Sequence, residues 1–223
     1  MALDQELSTW VPAALSRQAE KILDSAERLA QTRGFNGFSY ADVADELGVT
    51  KASLHYHFAS KTDLGRALLL RYHDSLTATL TGLDATFADP VQRLRGYTEV
   101  YASVLANRRM CLCGMLAAEA VTLPPPLQAL VNDIFQVHEA WVAGVLEAGR
   151  RGRKFRFAGA PLARARLIVA LLEGALLLAR SHDDPQRFKQ ARAQVFAWLG
   201  AGRKTASKPR PVALRNGRTA RLH

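Results

Sequence analysis

The stretch Ser39-Tyr-Ala-Asp-Val-Ala-Asp-Glu-Leu-Gly48-Val-Thr50-Lys-Ala-Ser-Leu54-His-Tyr-His-Phe58 decides the architecture. Ser39, with Asp42 three residues on, has the form of a capping box that opens a helix. Val43, Ala44 and Leu47 fall on one side of that helix, and Gly48 stops it. Thr50 can cap a second short helix, on which Leu54 and Phe58, four apart, share an inner face. Two short helices joined by a tight turn make a helix-turn-helix. Its second helix fits the major groove of DNA and offers its first residues to base edges.

With Leu54 at the centre of the inner face and about 100° per residue, Phe58 lies about 40° away, also inward. Ala52 and Tyr56 point outward, flanked by Ser53 and His55, with His57 nearer the inner edge and Lys51 in the first turn. A tyrosine between two histidines is costly as plain surface but suits sugar-phosphate and base contact. Ser39 can hold a phosphate beside the free N–H groups of a helix start, and Lys61 can reach another. His55 and His57 are no metal pair, because residues two apart on a helix diverge by about 200°. No metal or cofactor is expected.

Outward from this element the pattern stays helical. Ala19, Ile22, Leu23, Ala26, Leu29 and Ala30 form one buried stripe of a helix from about Arg17 to Thr32. Ser60 and Asp63 make a second capping box, opening a helix toward Leu80. Asp89-Pro90 starts another that ends near Asn107. A short helix covers Leu112 to Val121, and the prolines 124–126 launch a long one to about Gly149. Helices over about Pro161–Ser181 and Pro185–Leu199 follow. Strand-like alternation is missing, so the expectation is an all-α protein. Its parts are an N-terminal arm (1–16), a helix-turn-helix domain (17–62), an effector-binding and dimerisation domain (63–201) and a basic tail (202–223).

Bulk charge does not by itself identify a nucleic-acid protein. The chain has 223 residues and a net charge of +10, but the tail holds seven bases and no acid, and without it +3 remains. Residues 17–66 balance seven bases with seven acids. The apolar share of 48% supports a core and excludes a disordered chain. Two cysteines make no disulfide framework and point to a reducing, cytoplasmic setting. The opening Met-Ala-Leu-Asp-Gln-Glu carries acids where an export signal needs bases. The longest apolar run, Leu167–Ala179, has 13 residues and includes Glu173. A membrane span needs about 20, so a buried helix is expected and no membrane partner.

The region from Ile22 to Leu64 resembles the N-terminal domain of the TetR family of transcriptional regulators. The matching residues are Ile22-Leu23-Asp24-Ser25-Ala26, Gly34-Phe35, Val43-Ala44, Leu47-Gly48-Val49, and above all Leu54-His55-Tyr56-His57-Phe58-Ala59-Ser60-Lys61 with Leu64. The resemblance implies operator binding, with Ser39, Thr50, Lys51, Ser53, His55, Tyr56, His57 and Lys61 as DNA contacts. Many members carry Tyr directly after the recognition-helix Leu. Here His55 stands there, so the phosphate role of that Tyr passes to His55 and Tyr56 becomes a groove-facing position.

The resemblance also implies a ligand pocket among the middle helices and a homodimer built from the last two. The helix 161–181 is apolar almost all round, with Leu171 and Leu178, and the last helix adds Phe188, Val195, Trp198 and Leu199. Two such pairs would form a four-helix bundle about a twofold axis; burial of both helices within one chain is the alternative. Tyr97, Tyr101, Phe135, His138 and Trp141 are candidate effector contacts, against a reading as core aromatics with a satisfied histidine.

Cys111 and Cys113 sit at a predicted helix start just after Arg108-Arg109, where dipole and cations favour the thiolate. Some TetR-like regulators with a Cys-Leu start here, followed by Ala-Ala-Glu, respond to electrophiles or oxidants through the cysteine. Small buried hydrophobes are the alternative. The basic loop 150–156 and the tail add either unspecific DNA attraction or solubility.

The resulting expectation is a homodimeric repressor, released from a near-palindromic operator by a small effector or by thiol modification. A helical adaptor without specific DNA binding is the rival. An enzyme is not expected, since the chain has no Gly-rich phosphate loop, no HExxH and no GxSxG.

Overall fold

A computed structural model describes residues 15–201. The expected arm to residue 14 and the tail 202–223 lie outside the described residues. Those described form helices α1 (Arg17–Arg33), α2 (Tyr40–Leu47), α3 (Lys51–His57), α4 (Lys61–Thr86), α5 (Pro90–Ala106), α6 (Leu112–Ala118), α7 (Pro125–Arg151), α8 (Pro161–Ser181) and α9 (Pro185–Trp198), with no strand among them.

Local chemistry sets most of the ends. Ser39 and Ser60 each make a reciprocal capping box, with Asp42 and Asp63. Thr50 Oγ1 accepts the Ser53 N–H at 3.2 Å, and Asp89 Oδ1 accepts the Val91 N–H at 3.1 Å ahead of Pro90. Each cap satisfies a backbone donor that a helix start would otherwise leave open, contributing about 1 kcal/mol. The expected helix to Val121 stops earlier, at Ala118, and the chain turns through 119–123 into α7.

The small N-terminal bundle closes on Ile22, Leu23, Ala26, Val43, Leu54, Phe58 and Leu64, all buried. Arg28 pairs with Glu46 and Arg33 with Asp42, tying α1 to α2. Arg71 of α4 reaches Asp24 and Glu27 of α1, each at 2.7 Å, so α4 grips the bundle it leaves. A boundary at 62/63 therefore falls in the first turn of one continuous 26-residue helix. The larger bundle packs α7 against α8, α4, α5 and α6, and α9 against α8 and α5. No helix among the described residues is long and apolar enough to cross a membrane.

Candidate DNA-binding face and buried sensing site

The turn between α2 and α3 is made by Gly48, in the left-handed region at φ 65° and ψ 35°. Only glycine holds that conformation without a Cβ penalty. The next N–H, of Val49, returns to the Ala44 carbonyl at 3.0 Å and closes the end of α2. On α3, Leu54 is fully buried and Phe58 nearly so. Tyr40 Oη lies 2.8 Å from the Phe58 carbonyl and 2.6 Å from the Ser60 carbonyl, pinning the end of α3 to the start of α4. Burial, with the Asp63 charge behind it, pushes the Tyr40 phenol up to about 12, so it stays a donor.

With its inner side held, α3 turns Lys51, Ala52, His55 and Tyr56 to solvent, with Ser53 and His57 half-buried. Tyr56 is 86% exposed, and its ring meets that of His57 edge-on at 5.2 Å. The His55 ring lies 4.7 Å from that of Tyr40, and its Nδ1 is 3.1 Å from the Ala59 carbonyl. Nδ1 therefore carries the proton, which leaves Nε2 as the outer ring nitrogen.

Two expected phosphate contacts differ in the structure. Lys61 turns inward: Nζ donates to the Phe38 carbonyl and lies over the Phe35 and Phe38 rings at 4.8 and 4.5 Å. That burial lowers its pKa, against the pull of Glu119 and Asp42. Sequence position placed it in a first turn but could not show the aromatic pair beneath it. The Ser39 hydroxyl is exposed but bonded to Asp42 Oδ2 at 2.6 Å, so capping uses its proton.

The larger bundle brings together residues from five segments. Tyr97 is central: its ring lies 5.5 Å from Tyr101, 5.7 Å from His138 and 5.5 Å from Trp141. Its Oη is 2.7 Å from His138 Nδ1, and Tyr101 Oη donates to Glu173 at 3.2 Å. Tyr97, Tyr101, His138 and Cys111 line a small cavity with Tyr72, Leu76, Thr79, Leu80, Val100 and Val104. Phe135 and Trp141 do not line it. Phe135 lies behind His138 at 6.2 Å, and Trp141 Nε1 donates to Asp84 at 2.9 Å near the surface. Residue patterning missed Tyr72 and Glu173, although Glu173 is the one acid inside the Leu167–Ala179 run.

The burial of both thiols matches the alternative of small buried hydrophobes rather than that of ionised thiols. Cys111 caps α6 by position and Cys113 lies in its first turn, but they are 3% and 0% exposed. Burial first, and then the Glu173 charge, push both thiols well above their ordinary value. The cations assumed to favour thiolate face elsewhere. Arg108 is exposed and pairs loosely with Asp183 at 3.8 Å, and Arg109 points to Gln31. Glu173 accepts from Cys111 and Tyr101, and burial raises its own pKa.

The cysteine-bearing segment also touches the DNA-binding bundle. The Met110 N–H donates to the Gln31 carbonyl at 3.1 Å. Glu119 accepts the Asn36 N–H, and Asn36 Nδ2 donates to Thr122 at 2.8 Å. Gly34, at φ 87°, lets the chain pass so close to Glu119 that a Cβ there would collide with the carboxylate. From α8, Arg180 donates to the carbonyls of Gln31 and Thr32 at 3.1 and 2.5 Å.

The expected pairing residues divide. Phe188, Val195 and Leu199 are buried within the chain, which removes them from any intermolecular surface. Leu178 and Trp198 are about half exposed and Leu171 partly so, beside exposed Leu162, Leu167 and Leu177. Leu171 and Leu178 line a groove between α8 and α9 with Gly174, Ala175, Arg187 and Ala191.

Comparison with known families decides what this assembly is. Residues 22–68 match the family described as bacterial regulatory proteins, tetR family, and residues 90–195 match the tetracyclin repressor-like C-terminal domain. A TetR-family regulator from Agrobacterium tumefaciens superposes with a TM-score of 0.79 at 32% identity, over 82% of this chain and 97% of that one.

The chain belongs to the TetR family.

As a TetR-family protein it is a helix-turn-helix, DNA-binding transcriptional regulator. The transcriptional repressor NemR of Escherichia coli is 28% identical over 182 residues, covering 79% of this chain and 90% of NemR. The reduced form of NemR superposes with a TM-score of 0.71. The repressor KstR2 of Mycobacterium tuberculosis is 35% identical over 142 residues, 63% of this chain and 70% of KstR2. These relatives carry the names of transcriptional regulators.

Proposed function

We propose that this TetR-family regulator is a cytoplasmic homodimeric repressor, released from a near-palindromic operator by a small effector. The carrying observation is the outward face of α3, where a largely exposed tyrosine stands on a helix whose inner side is anchored by Leu54 and Phe58. Thr50, Lys51, Ala52, Ser53, His55, Tyr56 and His57 meet the operator. Ser39 contacts phosphate through the start of α2, and Lys61 acts by supporting the Phe35–Phe38 corner. Residues 17–62 read DNA, and 63–201 sense and dimerise.

Dimerisation uses the apolar strip that one chain leaves open on α8 and α9: Leu171, Leu178 and Trp198. A twofold pair sets its recognition helices about 34–36 Å apart, matching half-sites one helical turn apart. An effector that enters beside Tyr97, Tyr101 and His138 favours a form with wider spacing and so releases DNA. No catalytic role is proposed.

Thiol modification is a second route, supported by Cys111 lining the same cavity as His138. A protonated, buried thiol admits only uncharged reagents, and slowly. Mass spectrometry after mild electrophile treatment tests it: unlabelled cysteines with unchanged DNA affinity end that route.

The main reading is tested by mobility shift and footprinting on the promoter region of the regulator's own gene, with competitor DNA. A protected near-palindrome is expected. Equal binding to competitor would leave a helical adaptor without sequence preference.

A further inference from the structure

The loop between α7 and α8 gathers cations without acids. Between Glu147 and Glu173 the chain carries seven Arg or Lys residues and no Asp or Glu. Arg150 is engaged by Glu147 at 2.5 Å and by the Gly159 carbonyl at 3.1 Å, and Arg166 reaches back to Glu139 at 3.0 Å. Arg151, Arg153, Lys154 and Arg156 are exposed and, among the described residues, make no ion pair. Folding holds this stretch in place. Phe155 is 1% exposed and packs so closely on Gly149 that a Cβ there would collide with its ring. The Lys154 and Phe155 N–H groups reach the Gly149 carbonyl at 2.8 and 3.1 Å, and the Arg156 N–H reaches the Leu199 carbonyl at 2.8 Å. Arg153 takes φ 57° just past the end of α7, where glycine is the usual residue.

The place of the loop restricts its partner. The first turn of α7 packs Leu127 on Gly65, and the last turn of α8 sets Arg180 on Gln31 and Thr32. Both helices therefore meet the small bundle at one end and join in this loop at the other. The 27 residues of α7 span about 40 Å. A straight duplex held by α3 does not reach that far. The described chain also ends here, beside Arg156, and the sequence beyond it, 202–223, adds seven bases and no acid. Three of the four unpaired cations are arginines, whose planar fork matches phosphate. A bilayer partner would call for apolar side chains standing out beside the cations. Here Phe155 is buried, and Phe157 lies half-buried under the guanidinium groups of Arg150 and Arg164 at 5.3 and 5.9 Å.

We propose that the α7–α8 loop is a second nucleic-acid surface, holding the backbone of another DNA segment while α3 holds the first. Arg151, Arg153, Lys154 and Arg156 meet phosphates and read no base, so this contact is independent of sequence and sensitive to salt. The regulator then links two stretches of DNA. The proposal goes beyond operator reading and does not depend on the effector.

The test loads the full chain onto bead-bound promoter DNA of its own gene, washes it, and offers a labelled duplex of unrelated sequence. Capture of the labelled duplex is expected. A variant combining Arg151→Gln, Arg153→Gln, Lys154→Gln and Arg156→Gln is expected to cut capture about tenfold or more, and to lower the slope of log capture affinity against log salt by about 3–4. Its affinity for a short promoter duplex is expected to stay unchanged. Removal of residues 202–223 is expected to weaken capture by both proteins and leave the gap between them. No capture (a solvated loop only), equal capture by the fourfold variant, or a gap that vanishes with the tail overturns the proposal. So does a matching loss of affinity for the short promoter duplex, or tighter binding of polyglutamate or phosphatidylserine vesicles than of the labelled duplex. Should the beads hold no protein, the operator reading fails by itself. Titration of the labelled duplex into the free natural and fourfold-variant chains then decides the loop, and equal affinities overturn it.

Discussion

The carboxylate of Glu119, one residue past α6, accepts the backbone N–H of Asn36 at 3.1 Å, between α1 and α2. The segment that begins at Cys111 thus ends in direct contact with the operator-reading bundle. Arg180 fastens the same corner from α8. Arg180→Ala removes two charge-assisted bonds to carbonyls at the end of α1, and a loss of about 2 kcal/mol of stability is expected in chemical denaturation. Arg180→Lys is expected to recover less than half, because a point charge cannot reproduce the two-pronged geometry.

Tyr56 and Leu54 separate DNA contact from folding. Tyr56→Ala is expected to leave the melting temperature unchanged and weaken operator binding about tenfold, read by mobility shift. Leu54→Ala opens a cavity in the small bundle, and a loss of about 2–5 kcal/mol is expected by denaturation.

Lys61→Met tests whether the lysine supports the fold or a phosphate contact. A phosphate contact would lower the slope of log affinity against log salt by about 0.9. The inward geometry predicts an unchanged slope, with stability reduced by about 1–2 kcal/mol through the lost bond to Phe38.

His138 makes stability depend on pH. Its folded pKa, about 4, lies below the unfolded value of 6.5. Between these the unfolded chain binds more protons, so stability is full above about pH 6.5 and falls as pH drops toward 4, by about 3 kcal/mol at most. Glu173 is raised and acts oppositely: its contribution is full below the ordinary carboxylate pKa and declines as pH rises through its folded value. His138→Gln is expected to flatten the fall between pH 6.5 and 4 in urea titrations at stepped pH.

Leu178→Glu places a charge in the open groove between α8 and α9. Sedimentation velocity is expected to show a monomer, and operator affinity to collapse, while circular dichroism keeps its helical signal.

The helix starts at Ser39, Thr50, Ser60 and Asp89 were legible along the chain because capping is decided within three residues. The spacing of Leu54 and Phe58, with the left-handed turn at Gly48, was enough to place the buried side of α3. Contacts between distant segments were not legible. Apolar periodicity marked Phe188, Val195 and Leu199 as buried but could not say that their own chain covers them, leaving Leu171, Leu178 and Trp198 outside. The local setting of Cys111 suggested an easily ionised thiol, until folding set Glu173 beside it and took away the solvent. Lys61 looked outward until Phe35 and Phe38 came beneath it. Local order follows from short-range hydrogen bonding and side-chain period, whereas the protonation of a buried group follows from whichever charges and rings the packed helices bring near it.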